Sequence, residues 1–297
     1  MTTYCPGGTY RAEITVTTEA QLRETLGLAP GGLRHAWLRL ADDVELTQTL
    51  DLSHLGDCPG YAPTIKFDSY VDYAEIHYAG PYTLRKSAGF ASGDPLIKWH
   101  RDRFISEPPE IDNAASLRME NIILDGNDRP GPLVDIQQSD YQFFRDVVFK
   151  GSGGDGLVLG PPSLDPTQDN AVPECEDPSN PCVGAYQNSM VLLLDCQFLD
   201  NAGWGARLTN VIDFTIQGGS ASGNAAGAVR VQGPSLCSKC GTPPGCAVYA
   251  NRKMFRGCGS IVDLAGSDGV YLTFAWGVGV SGSGPVTTGP EVRYVSV

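Results

Sequence analysis

Glu120-Asn-Ile-Ile-Leu-Asp-Gly126 and Arg145-Asp-Val-Val-Phe-Lys-Gly151 align residue for residue, 25 positions apart. Each places Asn or Asp before an apolar–any–apolar triplet, then a polar residue and a turn former. The template recurs at Leu194-Asp-Cys-Gln-Phe-Leu-Asp200 and Ile212-Asp-Phe-Thr-Ile-Gln-Gly218, and more loosely at Arg252-Lys-Met-Phe-Arg-Gly257. A second set of short strands follows these copies: Pro132-Leu-Val-Asp-Ile136, Gly156-Leu-Val-Leu159, Gly205-Ala-Arg-Leu208, Gly227-Ala-Val-Arg-Val231 and Ser260-Ile-Val-Asp-Leu264, with Pro95-Leu-Ile-Lys-Trp99 as an earlier member. Strands this short cannot each bury a face alone. Stacked at about 4.8 Å, they form parallel sheets around one continuous core.

The spacing sets the size of one coil at about 20–25 residues. The longer steps from Asp146 to Asp195 and from Asp213 to Arg252 then hold loop insertions at about 160–189 and 233–246. No helical-period segment separates the strands, which excludes a βαβ arrangement. The one helical signature is Thr18-Glu-Ala-Gln21, a capping-box opening to a short amphipathic stretch suited to covering the open end of the stack. The expected architecture is all-β: a parallel β-helix over 1–275, its cap within about 1–40, and a Gly-rich tail over 276–297 whose strands suit pairing between subunits.

Composition narrows the function. With 41% hydrophobic residues, the chain can build a sizeable core. A net charge of −13 argues against a partner recognised through its phosphate backbone, so no nucleic acid is expected. No apolar run approaches the roughly 20 residues that span a bilayer, so no membrane is expected either. Met1 to Gly8 carries no basic segment followed by an apolar one, hence no visible signal peptide. The chain is expected to stay where it is made or to leave by lysis.

Nine cysteines are many for a reducing compartment. Cys175 and Cys182 bracket a Pro-rich loop able to close a local disulfide. Cys237, Cys240 and Cys246 are either further disulfide or thiol positions or, with Cys258, the ligands of a zinc site. With no second Cys-x-x-Cys and no His nearby, disulfides or thiols are preferred, and neither metal nor cofactor is expected. Cys196 sits at a core position of the repeat and reads as a buried free thiol.

The repeat, the entry Val16-Thr-Thr-Glu-Ala-Gln-Leu22 and the strand Ala36-Trp-Leu-Arg-Leu-Ala41 resemble the pectate-lyase-like family of right-handed single-stranded β-helices, over roughly residues 12–275. That family includes polysaccharide lyases, glycoside hydrolases and bacteriophage tailspikes, so the resemblance implies a fold more than an activity.

The repeat also assigns positions. Residues one and three after the Asn/Asp form core stacks: Ile122 and Leu124, Val147 and Phe149, Cys196 and Phe198, Phe214 and Ile216. Asn121, Asp146, Asp195 and Asp213 form a structural turn ladder in preference to a metal or catalytic row. The second strand set points Lys98, Asp135, Leu159, Arg207, Arg230 and Asp263 outward. Arg207 and Arg230 then sit on adjacent coils, either as solvated side chains or joined by an anion, an acid or a subunit.

Binding candidates are Lys98, Trp99, His100, Arg207 and Arg230. Should the chain be an enzyme, Asp155 and Asp200 with Arg207 and Arg230 are its best catalytic set, and Asp125 with Asp128 is a second carboxyl pair. The function expected is a non-enzymatic virion component, capsid decoration or tail spike. Its partners would be two further copies of the chain and other virion proteins or a surface glycan. The alternative is a secreted polysaccharide lyase or glycoside hydrolase.

Overall fold

The computed structural model describes residues 12–26, 36–53, 64–69, 71–72, 77–78, 81–100, 116–137, 140–160, 188–209, 211–232, 260–266, 269–273, 278–281 and 285–288. β1 (Ala12–Val16) and α1 (Glu19–Thr25) are followed by β2 (Ala36–Leu40), β3 (Val44–Leu46), β4 (Leu50–Asp51), β5 (Thr64–Ser69), β6 (Val71–Asp72), β7 (His77–Tyr78), β8 (Tyr82–Lys86) and β9 (Ile97–His100). The middle of the chain contributes β10 (Ser116–Asp125), β11 (Val134–Gln137), β12 (Asp140–Lys150), β13 (Leu157–Leu159), β14 (Asn188–Leu194) and β15 (Gln197–Leu199). The last elements are β16 (Trp204–Thr209), β17 (Val211–Ser222), β18 (Gly227–Gln232), β19 (Ser260–Gly266), β20 (Val270–Thr273), β21 (Val278–Ser281) and β22 (Val286–Thr288).

The chain is mostly β, and its two large sheets are parallel throughout, compatible with the expected parallel β-helix. One small antiparallel pair, β6 with β7, stands apart. The larger sheet runs β1-β2-β5-β10-β12-β14-β17-β19-β21. Its long strands bend midway, so that β10 pairs β5 before the bend and β8 after it. Two ladders of rungs therefore share one corner. The third ladder is the eight-stranded sheet β4-β9-β11-β13-β16-β18-β20-β22. The segment after residue 275 adds β21 and β22, which pair with β19 and β20 of the same chain.

The bend explains the Asn/Asp positions. Asn121, Asp146 and Asp195 have φ of 50°, 53° and 52°, the left-handed region that Asn and Asp tolerate better than other side-chain-bearing residues. They occupy consecutive rungs, because the pairs flanking them are Glu120↔Arg145 with Ile122↔Val147, and Arg145↔Leu194 with Val148↔Gln197. The fourth rung is not Asp213. Leu194 pairs Gln217, and Gln197 pairs Ser220, so Asp195 stands over Gly218, at φ 69°. Asp213 lies five residues earlier, between Ile212 and Phe214, which pair Ser189 and Val191. Asp195 to Gly218 is 23 residues, one full coil; the 18 residues to Asp213 are too few to complete it. The Asp195 carboxylate fills the space a Gly218 side chain would need.

All eight predicted core residues are buried, but Phe214 and Ile216 belong to the other ladder, beside Val191 and Leu193. The stack Leu124–Phe149–Phe198 continues instead to Ala221. Phe149 and Phe198 stack at 5.1 Å between ring centroids, a geometry that adds about 1 kcal/mol beyond burial. Cys196 is fully buried and free, and burial pushes its thiol up to about 12.

The helix forms as its opening predicts. The Thr18 hydroxyl accepts from Gln21 N at 3.2 Å, and the Gln21 carboxamide accepts from Thr17 N at 2.9 Å. Leu22 and Leu26 join the core. Glu19 accepts from Thr47 N at 3.1 Å and pairs with Arg23 at 2.7 Å, while Arg23 donates to Gln48 O at 2.6 Å. These contacts tie α1 to the turn between β3 and β4.

Candidate functional site

The outward positions of the third ladder hold most of the residues singled out by sequence. From the register, one column runs Asp51, Lys98, Asp135, Val158, Arg207, Arg230 and Tyr271. Two expected members are replaced. Leu159 faces the core and is fully buried, and Val158 takes its place. Asp263 lies on β19 opposite Gln217, in the other sheet, and Tyr271 stands next to Arg230. The Ser260 strand matches the apolar template of the second set, but it starts a new circuit on the first ladder.

At the end near β4, acids and bases stand beside one another. Lys98 Nζ is 3.4 Å from Asp51 Oδ2. Burial opposes ionisation of Asp51, yet the Ser53 hydroxyl and N–H, together with Lys98, hold its carboxyl below the usual carboxylate range. His100 Nε2 approaches Asp135 Oδ2 at 2.9 Å, off the angle of a hydrogen bond, and His100 N donates to Ser53 Oγ. Trp99, expected as a binding residue, points the other way and is fully buried in the core. Strand alternation sends Ile97 and Trp99 inward and Lys98 and His100 outward.

At the other end, Arg207 Nε donates to Asp155 Oδ2 at 2.6 Å, and Asp155 Oδ1 accepts from Trp204 N at 2.8 Å. The acid that relieves the Arg207–Arg230 repulsion is thus in the turn before β13. Asp200 does not join it. It is exposed at φ 53° on a separate corner, on consecutive rungs with Gly151 and Gly223, and its N–H bonds Ser222 O. Arg230 reaches the Gln232 carboxamide at 3.2 Å and lies over the Tyr271 ring at 5.8 Å. Its buried Nε has no acceptor among the described residues.

The second carboxyl pair stays close in space, Asp125 Oδ1 and Asp128 Oδ1 lying 3.4 and 3.6 Å from the place a Gly151 β-carbon would take, but the two acids differ in their surroundings. Asp125 is buried between Arg85, at 3.0 Å, and Lys150, at 3.6 Å, and it accepts from Asn127 N. Asp128 is exposed at φ 55°. Among the described residues, no group of three or more His, Cys, Asp or Glu side chains converges as a metal site. Cys175, Cys182, Cys237, Cys240, Cys246 and Cys258, and almost all of the two insertions, lie outside the described residues.

Three features escaped the sequence reading. Ser152, Asn201 and Asn224 form a buried polar ladder. Asn201 Nδ2 donates to Asn224 Oδ1 at 2.7 Å and to Phe149 O at 3.2 Å; Asn224 Nδ2 donates to Phe198 O at 2.9 Å; and Ser152 N donates to Asn201 Oδ1 at 3.1 Å. Aligning Gly151-Ser, Asp200-Asn and Gly223-Asn one coil apart would have found it. Lys86 is fully buried, its ammonium donating to Asp94 O, Pro130 O and Gly131 O at 2.8–3.0 Å. Its core-parity position in β8 was the available signal. Trp204 and Tyr271 meet at 6.3 Å between ring centroids, a contact across two rungs of the same ladder.

Comparison with family models, curated proteins and solved structures finds no match to this chain.

Proposed function

We propose that the chain is a right-handed single-stranded parallel β-helix, capped at its first circuit by α1. It serves as a non-enzymatic structural and binding component of a bacteriophage virion, as capsid decoration or tail spike, in homotrimeric form. The observation that carries the structural reading is the mutual commitment of outward acids and bases: Asp51 with Lys98, His100 with Asp135, Asp155 with Arg207, and Asp125 with Arg85 and Lys150. Glycoside hydrolysis needs two carboxyls about 5–10 Å apart with the substrate between them. Here the best-placed acid, Asp155, already has both oxygens engaged. Paired charges on successive rungs suit a rigid shaft that stays soluble without reacting.

The virion half takes its support from the resemblance of the repeat to tailspike helices. The last rungs, β21 and β22, present the edge most suited to a neighbouring subunit or virion protein. Such a protein is assembled in the host cytoplasm and becomes extracellular on lysis. No cofactor, nucleic acid or membrane belongs to this reading.

A second reading, a polysaccharide lyase or glycoside hydrolase, draws on the Asp155–Arg207 pair beside Arg230, which brings together part of the expected catalytic set. Native mass and location decide between them. The proposal expects a stable trimer that co-purifies with a phage particle and releases no reducing ends from a glycan panel. A free monomer with turnover that Arg230→Ala abolishes, at unchanged thermal stability, replaces it with the enzyme reading.

A further inference from the structure

We infer that Arg230, Tyr271 and Trp204 form a binding site for a carboxylate-bearing sugar on the outer face of the third ladder. The inference rests on the binding half of the proposed function and names its ligand class. Along this column, among the described residues, the other two cations each have a carboxylate: Lys98 has Asp51, and Arg207 has Asp155. Arg230 has no acid. One terminal nitrogen meets Gln232, and Nε is shielded from solvent without an acceptor. Nε is thus out of a ligand's reach, but the second terminal nitrogen is neither shielded nor bonded among the described residues, and an anion that reaches it supplies the charge partner this guanidinium otherwise lacks.

The aromatic part of the site is built by the register. Trp204 pairs Gly227 across the sheet, and the indole leans over that glycine. A β-carbon there would collide with the ring, and Gly227, at φ 134°, holds a backbone conformation that side-chain-bearing residues rarely adopt. The indole thereby reaches past one whole rung to Tyr271, which lies two rungs on, with the ring planes inclined at 34°. The Arg230 guanidinium covers one side of the same phenol ring.

Two inclined aromatic faces and a planar fork of donors fit a ring that carries C–H groups on its face and a carboxylate at its edge. The C–H groups meet the negative faces of the aromatic rings. The carboxylate takes the fork in place of a point charge. A neutral sugar leaves Arg230 unsatisfied, and a bare carboxylate leaves the rings uncovered.

The test titrates the full chain with methyl β-glucuronide, methyl β-glucoside and acetate, following the indole N–H signal of Trp204, assigned by Trp204→Phe. The Trp99 indole, buried in the core, reports the fold. The expected result is a saturable Trp204 shift with glucuronide, with at least tenfold weaker binding of glucoside and of acetate. Arg230→Gln should weaken glucuronide at least tenfold with the Trp99 signal unmoved. If that variant disturbs Trp99, Arg230→Lys, which keeps the charge and loses the fork, is expected to weaken glucuronide several-fold. Equal binding of glucoside and glucuronide, no shift at Trp204, or unchanged affinity in the substituted protein that keeps its fold would overturn the site. Trimer mass and particle location are independent of all these results, so failure here is distinguishable from failure of the proposed function.

Discussion

Two corners of the coil use the same small set of residues for opposite reasons. Where the first and second ladders meet, Asn121, Asp146, Asp195 and Gly218 share a left-handed backbone, and the side chains of Asp146 and Asp195 are exposed. Between the second and third ladders, Ser152, Asn201 and Asn224 are buried, and their side chains satisfy backbone groups of neighbouring rungs. The first corner needs a conformation, so glycine can stand in for aspartate. The second needs a donor and an acceptor in the core, so glycine cannot. An Asp or Asn in a repeat is therefore not one kind of signal.

Substitution separates the two corners most sharply. Asn201→Ala strands Phe149 O and Ser152 N and removes a bond to Asn224, and should cost about 3 kcal/mol. Chemical denaturation measures it, and a loss below about 1 kcal/mol would mean that the amide ladder is dispensable.

A second effect, on the order of 2 kcal/mol, concerns the buried ionisable groups. Burial pulls Lys86 down from 10.5 to about 8, against the attraction of Asp94. Between those values the unfolded chain holds the extra proton, so Lys86 makes stability rise with pH. Cys196 acts in reverse. Burial raises its thiol from 9.0 to about 12, the folded state holds the extra proton, and stability falls as pH climbs above 9. In the wild type the two oppose each other between about pH 9 and 10.5. Cys196→Ala should expose a rise in melting temperature across that window, and Lys86→Met a fall. Identical pH profiles in the two variants would contradict both assignments.

The smallest expected effect is at the first corner. Asp195→Ala places an alanine at φ 52° and should cost about 1 kcal/mol, whereas Asp195→Gly should be neutral or stabilising by a few tenths. If Asp195→Gly destabilises as much as Asn201→Ala, the two corners do not differ in the way described.

Much of the fold was legible in the sequence because burial and strand period leave a direct imprint. Ile122, Val147 and Cys196 are in line, and Thr18 begins the helix. Asp213 was misplaced because the rung beneath Asp195 is a glycine pair, Gly218-Gly219, which has no side chain for a polar–apolar template to detect. The site was harder to read. Lys98, Arg207 and Arg230 were found from strand alternation, and Asp155 was grouped with Arg207 although it lies in a turn 52 residues before it, but the same grouping wrongly included Asp200. Trp204 and Tyr271, distant in sequence, meet only across successive rungs of the third ladder. Trp99 was named as a binding candidate for its place beside His100, although strand alternation puts it on the face opposite Lys98 and His100.

The register is the central claim, since it decides which charges neutralise and which cation is left. Asp195 N donates to Gln217 O at 2.8 Å. In perdeuterated, 15N,13C-labelled protein, a coupling through that hydrogen bond should connect the Asp195 amide nitrogen with the Gln217 carbonyl carbon. A coupling to the Ile212 carbonyl instead would put Asp195 over Asp213 and shift every later rung out of the arrangement described.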